Sequence, residues 1–230
     1  MEYRHELKYV VTAQQMALLK GRIRGLIPPD VHAGENGGYR IRSLYFDDYY
    51  NSCYQENEIG TDPREKFRIR IYNGDGSRIS LELKRKEHGM TQKLSCLIGE
   101  EQCRELMAGR PLPVDREYPP ILQKLNLLMR TRLLQPKVIV EYDRTPYAEA
   151  LGNTRITLDQ NMASCDEPRR FLEPVLPRRP VMPVGQHILE VKYDEFLPDY
   201  LYRNLQLQSL RQTAFSKYYL CRRYTLKGSI

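Results

Sequence analysis

Lysine and arginine recur at every second position in several short segments of the sequence, often together with a carboxylate. The clearest run is Lys66, Arg68 and Arg70, with an apolar residue after each. Four further segments show the same alternation: Glu6 and Lys8; Glu82, Lys84 and Lys86; Arg155, Thr157 and Asp159; and Glu190 and Lys192. Rows of guanidinium and ammonium groups are suited to phosphate oxygens, so the pattern predicts a polyanion-binding surface.

Alternating residues share one face of a β-strand, so these segments predict strands with one charged and one apolar face. The simplest structural interpretation is a solvated sheet face. A solvated face would also draw freely on Ser, Thr, Asn and Gln, whereas these segments use mainly Arg, Lys and Glu. We therefore interpret the five segments as one functional surface, which is either an open basic face or the lining of a barrel.

The surrounding pattern predicts the elements that hold this surface. Helical periodicity covers 12–27, 99–109, 119–133 and 197–224, with Thr12 as an N-cap and the last helix broken. Strands are predicted at 3–11, 38–46, 65–73, 78–86, 92–98, 137–145, 154–159 and 186–193. Asn73-Gly74-Asp75-Gly76 predicts a hairpin turn, and the proline-rich stretch 168–183 a long loop.

Together these elements predict an α+β chain with a central antiparallel sheet, in a single domain over residues 1–230. About eight strands can close into a barrel without unpaired edges, with the helices covering the outward apolar faces. Such a barrel would have a charged interior. Burying many like charges requires a polyanion or a metal to neutralise them, so we expect a linear chain of phosphates as the ligand.

Composition sets limits on the class of protein. The chain has 230 residues, 36 basic and 29 acidic, giving a net charge of +7, and it is 41% hydrophobic. These values exclude wholesale disorder. We find no apolar run long enough for a membrane helix and no secretory signal, which predicts a cytoplasmic protein without membrane insertion of its own. Five scattered cysteines without a CxxC pair exclude a disulfide scaffold and a zinc site.

Eight motifs occur in order along the chain: His5-Glu6-Leu7-Lys8-Tyr9, Arg42-Ser43-Leu44-Tyr45-Phe46-Asp47, Lys66-Phe67-Arg68-Ile69-Arg70-Ile71-Tyr72, Leu81-Glu82-Leu83-Lys84-Arg85-Lys86, Glu141-Tyr142-Asp143-Arg144, Arg155-Ile156-Thr157-Leu158-Asp159, Leu189-Glu190-Val191-Lys192-Tyr193 and Phe215-Ser216-Lys217-Tyr218. In these motifs and their order the chain resembles the VTC domain, from about residue 2 to 224. This is the catalytic domain of the vacuolar transporter chaperone polyphosphate polymerase, in the triphosphate tunnel metalloenzyme superfamily.

The resemblance implies an eight-stranded antiparallel β-barrel tunnel with a charged lumen and flanking helices. It also implies transfer of the ATP γ-phosphate to a growing polyphosphate chain, with Mn²⁺ or Mg²⁺. The implied catalytic residues are Arg68, Arg70, Lys84, Arg144 and Arg155. The expected substrate-binding residues are Lys8, Lys66, Lys86, Lys93, Tyr142, Lys192, Ser216 and Lys217. Glu190 is the implied metal ligand, with Glu6 as a second.

Several of these residues also have purely structural interpretations. Glu190 can neutralise a lysine without binding metal, Arg144 can form a cross-strand salt bridge, Ser216 can cap a helix and Tyr142 can pack in the wall. The first strand also departs from the ExExK motif of many tunnel triphosphatases, because Arg4 stands where one Glu would be. The shortage of acidic ligands favours a polymerase over a hydrolase.

Two alternatives stay open: an inorganic triphosphatase on the same tunnel fold, and a non-catalytic polyphosphate-binding module. Nucleic acid is disfavoured, because acidic groups interleave with the basic ones and no stacking aromatics accompany them. The four histidines are isolated, and strand alternation places His5 on the outside, so no general base is evident. Any coupling of synthesis to a membrane would require a separate membrane partner.

Overall fold

The chain forms one continuous antiparallel sheet. A computed structural model describes residues 3–34 and 37–227. Its strands are β1 (His5–Thr12), β2 (Tyr39–Asp47), β3 (Arg64–Tyr72), β4 (Asp75–Glu87), β5 (Met90–Ile98), β6 (Gln135–Glu149), β7 (Thr154–Cys165), β8 (Arg179–Pro180) and β9 (Gln186–Tyr193). Eight of them lie in the order β1-β9-β7-β6-β2-β3-β4-β5, and the short β8 pairs with β7.

The sheet curls until its two edge strands meet. Arg4, just before β1, and Thr91 of β5 exchange two backbone hydrogen bonds of 3.0 Å. The Tyr3 hydroxyl adds a hydrogen bond of 2.6 Å to Glu87 of β4. These contacts join β1 to the β4–β5 hairpin and so confirm the predicted eight-stranded antiparallel tunnel.

Helices flank the curl, and most of them cover its outer face, as predicted. They are α1 (Ala13–Arg24), α2 (Ser52–Ile59), α3 (Glu100–Met107), α4 (Pro120–Thr131), α5 (Asp199–Asn204) and α6 (Lys217–Lys227). Helices α3 and α4 pack on the outward apolar residues of β2 to β5, among them Ile69 and Leu81. Helices α1 and α5 pack on those of β1, β7 and β9, among them Leu158 and Val191. Burial of these side chains supplies the main free energy that holds the curl.

Local sequence signals account for several boundaries. Thr12 caps α1 by accepting a hydrogen bond of 3.2 Å from the Gln15 backbone N–H, and the Gln15 side chain accepts one of 2.8 Å in return. The β3–β4 hairpin turns through Asn73 and Gly74, both in the left-handed region with φ of 54° and 75°. Two left-handed residues are what a tight two-residue hairpin requires, so this predicted turn is confirmed.

Other boundaries differ from the prediction. Strands β6 and β7 extend beyond 137–145 and 154–159, because a bulge between them lets pairing continue on both sides. The helical pattern over 197–224 divides into α5, a 3₁₀ turn at Leu207–Ser209 and α6. Helix α2 was not predicted, since only Tyr54 of its side chains is buried and so leaves no apolar periodicity. The proline-rich stretch is largely loop, interrupted by a 3₁₀ turn at Pro168–Arg170 and by β8.

The inner face of the curl is charged over only part of its length. At one end, Val138, Val140 and Ile188 turn inward and pack against Tyr218 and Cys221 of α6. The expectation of a wholly polar interior is therefore wrong at this end, where α6 supplies an apolar partner for the strands. Helix α6 narrows the interior of the curl at this end, and the charged residues are concentrated in the rest of the interior. In the described part of the chain, each helix is too short or too polar to span a bilayer.

Candidate functional site

Glu6 is the centre of a first cluster of charges inside the curl. Its carboxylate lies 2.9 Å from Lys8 Nζ, 2.7 Å from Lys84 Nζ and 3.4 Å from Lys192 Nζ. Burial alone would raise the pKa of Glu6, but the surrounding lysines hold it at about 2. Burial, together with Lys8 and Lys192, lowers the pKa of Lys84 to about 7 although Glu6 opposes the shift. One carboxylate is therefore shared by three ammonium groups, and the cluster is positively charged.

Glu82 is the centre of a second cluster, on β3, β4 and β5. Arg68 donates from Nε at 2.7 Å and holds Nη2 at 2.6 Å from the same carboxylate oxygen. Arg70 Nη1 and Lys93 Nζ lie 3.6 Å and 3.3 Å from the Glu82 carboxylate. The Arg68 guanidinium also donates to the Tyr45 hydroxyl at 2.8 Å. These bonds fix the orientation of Arg68 while each Nη keeps a further N–H for a ligand.

Asp159 and Glu190 form the third cluster. Arg144 donates two hydrogen bonds to Asp159, of 2.7 and 2.8 Å, and its Nη2 lies 3.5 Å from Glu190. The cross-strand salt bridge proposed as a structural role for Arg144 is thus present. Lys217 Nζ lies 2.8 Å from Asp159 and 3.6 Å from Glu190. Despite burial, Arg144 and Lys217 hold the pKa of Asp159 below its usual range, and Lys192, Lys217 and Lys8 do the same for the pKa of Glu190.

Helix α6 begins at the edge of the charged region. Ser216 accepts a hydrogen bond of 3.2 Å from the Tyr219 backbone N–H, as its capping interpretation predicts. The same hydroxyl lies 3.3 Å from Lys66 Nζ, which also donates to Asn57 at 2.9 Å. Burial lowers the pKa of Lys66 to about 8. Ser216, Lys217 and Lys66 thus converge at the N-terminus of α6, an arrangement that favours anions.

Three predicted residues lie in different surroundings. Arg155 Nη2 is 3.0 Å from Asp30 and 3.1 Å from the Tyr39 hydroxyl, and Arg155 lies directly across from Lys192 in the sheet. Lys86 is half-buried, in register with Arg64 and Thr91 beside the closure of the curl. Tyr142 is 2% exposed, and both Arg144 and Lys217 lie over its ring, at 5.3 and 4.9 Å from the centroid. Tyr142 therefore packs in the wall between two cations.

The lumen set consists of the predicted basic residues and the carboxylates that pair among them. Its members are Lys8, Lys66, Arg68, Arg70, Lys84, Lys86, Lys93, Arg144, Arg155, Lys192 and Lys217, with Glu6, Asp30, Glu82, Asp159 and Glu190. Eleven basic and five acidic groups leave an excess of six positive charges, close to the net charge of +7 for the whole chain. Most of the positive excess of the protein therefore resides in this set, and the charges of the rest of the chain nearly balance.

The carboxylates of the lumen set are the residues that could hold a divalent metal. The described residues contain no cluster of three or more His, Cys, Asp or Glu side chains suited to a metal. Glu6 and Glu190 nevertheless lie diagonally across β1 and β9 on the inner face, where Lys8 pairs with Glu190 and Glu6 with Lys192. Mg²⁺ commonly takes one or two carboxylates and completes its shell with phosphate oxygens and water. The donor set fits such an ion, in competition with Lys192, 2.7 Å from Glu190.

Sequence reasoning singled out neither Glu82 nor Asp159 as a site residue, although both follow the alternation of their strands. It missed Asp30, Tyr39 and Asp47 altogether. Asp47 accepts hydrogen bonds from the Cys53 and Tyr54 backbone N–H groups at the start of α2, and from the Tyr218 hydroxyl of α6. Asp30 lies in a loop, and Tyr39 and Asp47 lie at the two ends of β2, where no periodic signal marks them. His5 is exposed and stacks on Tyr193 outside the curl, as predicted.

Solved structures share this architecture. A Hippeastrum protein described as a candidate adenylyl cyclase with a dominant triphosphatase activity is 14% identical, with a TM-score of 0.53 over 96% of this chain and 95% of that one. Candidate adenylate cyclases from Bacillus halodurans and Vibrio parahaemolyticus are 13% and 12% identical. Each has a TM-score of 0.51, over 93% and 95% of this chain and 95% and 97% of theirs. At these identities the likeness shows the fold alone.

No curated protein sequence matches the chain. A family model does: the VTC domain model matches residues 3–225. The match covers nearly the whole chain and includes every strand and every residue of the lumen set. The chain therefore belongs to the VTC domain family.

Proposed function

We propose that this protein is a polyphosphate polymerase that transfers the γ-phosphate of ATP to the end of an inorganic polyphosphate chain inside the tunnel. The observation that carries the proposal is the lumen set, whose positive excess is distributed along β1, β3, β4, β5, β6, β7 and β9. A row of cations suits a linear polyanion better than a single compact phosphate. Membership of the VTC domain family supports a tunnel enzyme that acts on phosphate chains.

In the proposed reaction, an oxygen of the terminal phosphate of the chain attacks the γ-phosphorus of ATP. The bond between that phosphorus and the β–γ bridging oxygen breaks, and ADP leaves with the electron pair. The acceptor oxygen is already anionic, so the step requires no strong general base. Catalysis then depends on holding two polyanions in line and neutralising their charge.

Arg68, Arg70 and Arg144 would hold the non-bridging oxygens, with Lys84, Lys192 and Lys217 as compact charges beside them. Glu190 and Glu6 would hold Mn²⁺ or Mg²⁺, which when bound neutralises charge on the phosphate oxygens. The arginines are already oriented by Glu82 and Asp159, so the tunnel is ordered before the ligand binds. This preorganisation lowers the cost of arranging several charged side chains around one substrate.

A triphosphatase is the second candidate. Its support is the Hippeastrum structure of the same fold, whose description reports a dominant triphosphatase activity. A hydrolase must activate water beside the phosphate, and the carboxylates of the lumen set are already engaged with cations. A non-catalytic polyphosphate-binding module is the third candidate, because the cations alone are sufficient for binding.

Incubation of the purified protein with ATP and Mn²⁺, followed by separation of the products on a gel stained for polyphosphate, distinguishes the three. Polymer together with ADP supports the polymerase. Release of free phosphate from tripolyphosphate without polymer supports the triphosphatase, and binding without turnover supports the binding module. In the polymerase, Glu190→Ala should abolish turnover and retain tripolyphosphate binding. The matched control is Glu105→Ala, at a partly exposed position of α3 outside the curl. Unchanged turnover of Glu190→Ala would contradict the metal role.

A further inference from the structure

Two tyrosines lie together at the end of the tunnel that contains Arg155. Tyr39 is the first residue of β2 and Tyr72 is the last residue of β3, while Arg155 is the second residue of β7. Because the strands alternate in direction along the sheet, these three positions lie at the same end. The two rings meet edge to face, with centroids 5.4 Å apart and planes at 76°. We call this pair of rings, Tyr39 and Tyr72, the aromatic corner, and the end of the tunnel where it lies the mouth.

This aromatic corner has ring surface that can receive a ligand. Tyr72 is 37% exposed. Tyr142, the tyrosine that the family resemblance places near the nucleotide, is 2% exposed and its ring is already covered by Arg144 and Lys217. A planar ligand group therefore has access to Tyr72 at the mouth, and has none to Tyr142 in the wall.

Phosphate-binding cations begin directly beside the aromatic corner. Tyr39 is paired across strands with Arg144, and its hydroxyl lies 3.1 Å from Arg155 Nη2. Tyr72 lies two residues after Arg70 on the same strand face. Burial raises the pKa of Tyr39, although Arg144 and Arg155 both act to lower it. A ligand with a flat ring and an attached polyanion would meet both kinds of group within one mouth.

Two polar atoms just inside the mouth are also unsatisfied. Arg155 Nε and Thr157 Oγ1 are buried and have no hydrogen-bond partner within the described ranges 3–34 and 37–227. The two residues lie two apart on one strand and so share the inner face. Asp30 and Tyr39 hold the other end of the Arg155 guanidinium in place. Both atoms are closed off from solvent, so the group that a phosphate oxygen meets at this point is the exposed part of the Arg155 guanidinium, whose side chain is 37% exposed.

We propose that Tyr39 and Tyr72 form the nucleobase subsite for a nucleoside triphosphate, whose phosphates enter the tunnel past Arg155 and Thr157. The inference rests on the proposed function, in which a nucleotide is the phosphate donor, and it assigns the part of the site that an inorganic phosphate chain does not use. Stacking on tyrosine tolerates any base. Purines have the larger ring surface, so the subsite favours them over pyrimidines.

Titration calorimetry with ATP and with inorganic tripolyphosphate, on the full chain, tests the assignment. Tyr72→Leu should weaken ATP binding by about tenfold, the scale of one lost base–aromatic stack, and leave tripolyphosphate binding within about twofold. Tyr39→Phe keeps the ring and should retain most of the ATP affinity. Tyr50→Leu is the matched control, since Tyr50 is 74% exposed and follows the opposite end of β2.

Equal losses for both ligands in Tyr72→Leu, or no loss for either, would overturn the subsite. Wild-type protein that binds tripolyphosphate and not ATP would also overturn it, while leaving phosphate-chain binding in the tunnel intact. Wild-type protein that binds neither ligand would refute the proposed function together with the subsite. Each result therefore separates the failure of the nucleobase subsite from the failure of the tunnel as a phosphate site.

Discussion

Glu6 is a single carboxylate that forms ion pairs with several lysines. Three lysines share it, and Lys192 also pairs with Glu190 at 2.7 Å, so at least one of the three charges remains unneutralised when all are protonated. Burial and the neighbouring lysines together lower the pKa of Lys84 to about 7. Lys84 is therefore poised to change charge near neutral pH, in the position where the proposed substrate lies.

The affinity for inorganic tripolyphosphate should consequently depend on pH through Lys84. A bound polyanion favours the protonated amine and raises its pKa, so binding takes up a proton when the free protein is above pH 7. Affinity should be full below pH 7 and fall as pH rises through that value. Calorimetric titrations between pH 6 and pH 9 would measure this slope.

Lys84→Arg is the control, because arginine stays protonated over this range. The variant should lose the part of the pH dependence that belongs to Lys84, while the titration of the ligand itself remains in both proteins. Identical pH profiles of the wild type and Lys84→Arg would show that Lys84 does not change charge on binding.

At the scale of elements, α6 is positioned by a contact outside the charged region. Asp47, at the end of β2, is fully buried and joins the N-terminus of α2 to the Tyr218 hydroxyl of α6. Tyr218 also packs against Tyr45, with ring centroids 5.3 Å apart. Because Lys217 precedes Tyr218, the same contact places its amine beside Asp159 and Glu190.

Tyr218→Phe should therefore destabilise the protein and weaken ligand binding together. Loss of the hydroxyl removes one hydrogen bond to the buried Asp47 carboxylate, whose Oδ2 keeps the Tyr54 backbone N–H as a donor. A hydrogen bond to a charged group contributes roughly 1.5–3 kcal/mol to the free energy of unfolding. We expect urea denaturation to show this loss, and tripolyphosphate affinity to fall by a fewfold because α6 is less firmly held. Tyr202→Phe, on an exposed part of α5, serves as the control. A fully stable Tyr218→Phe would show that the Asp47 contact does not hold α6.

The same elements show what strand patterns can and cannot predict. Alternation assigned the inner face of five strands, because it depends only on residue parity and a regular pleat. It did not predict that Arg144 meets Asp159, since that pairing depends on the bulge between β6 and β7. Asp30, Asp47 and the aromatic corner come from strand ends and loops, whose proximity is set by the curl of the sheet and by no local periodicity.

At the scale of the whole molecule, the net charge and the placement of the charged residues are two different properties. Six of the seven excess positive charges lie in the lumen set, and the remaining basic and acidic residues nearly balance. Many of the remaining ones form exposed ion pairs, such as Arg104 with Glu100 and Lys124 with Glu65, which contribute little to stability. We therefore expect anions to bind inside the curl and not on the outer surface.

The placement of charge can be measured with three variants that each remove one positive charge. Lys93→Met and Lys192→Met alter the lumen set at partly exposed positions, and Lys124→Met alters the outer face on α4. Calorimetry with tripolyphosphate at a fixed ionic strength should show an affinity loss of about tenfold or more for each inner variant, the scale of one charged hydrogen bond. Lys124→Met should stay within about twofold of the wild type. Equal losses in all three variants would contradict the account, because binding would then follow net charge and not the lining of the tunnel.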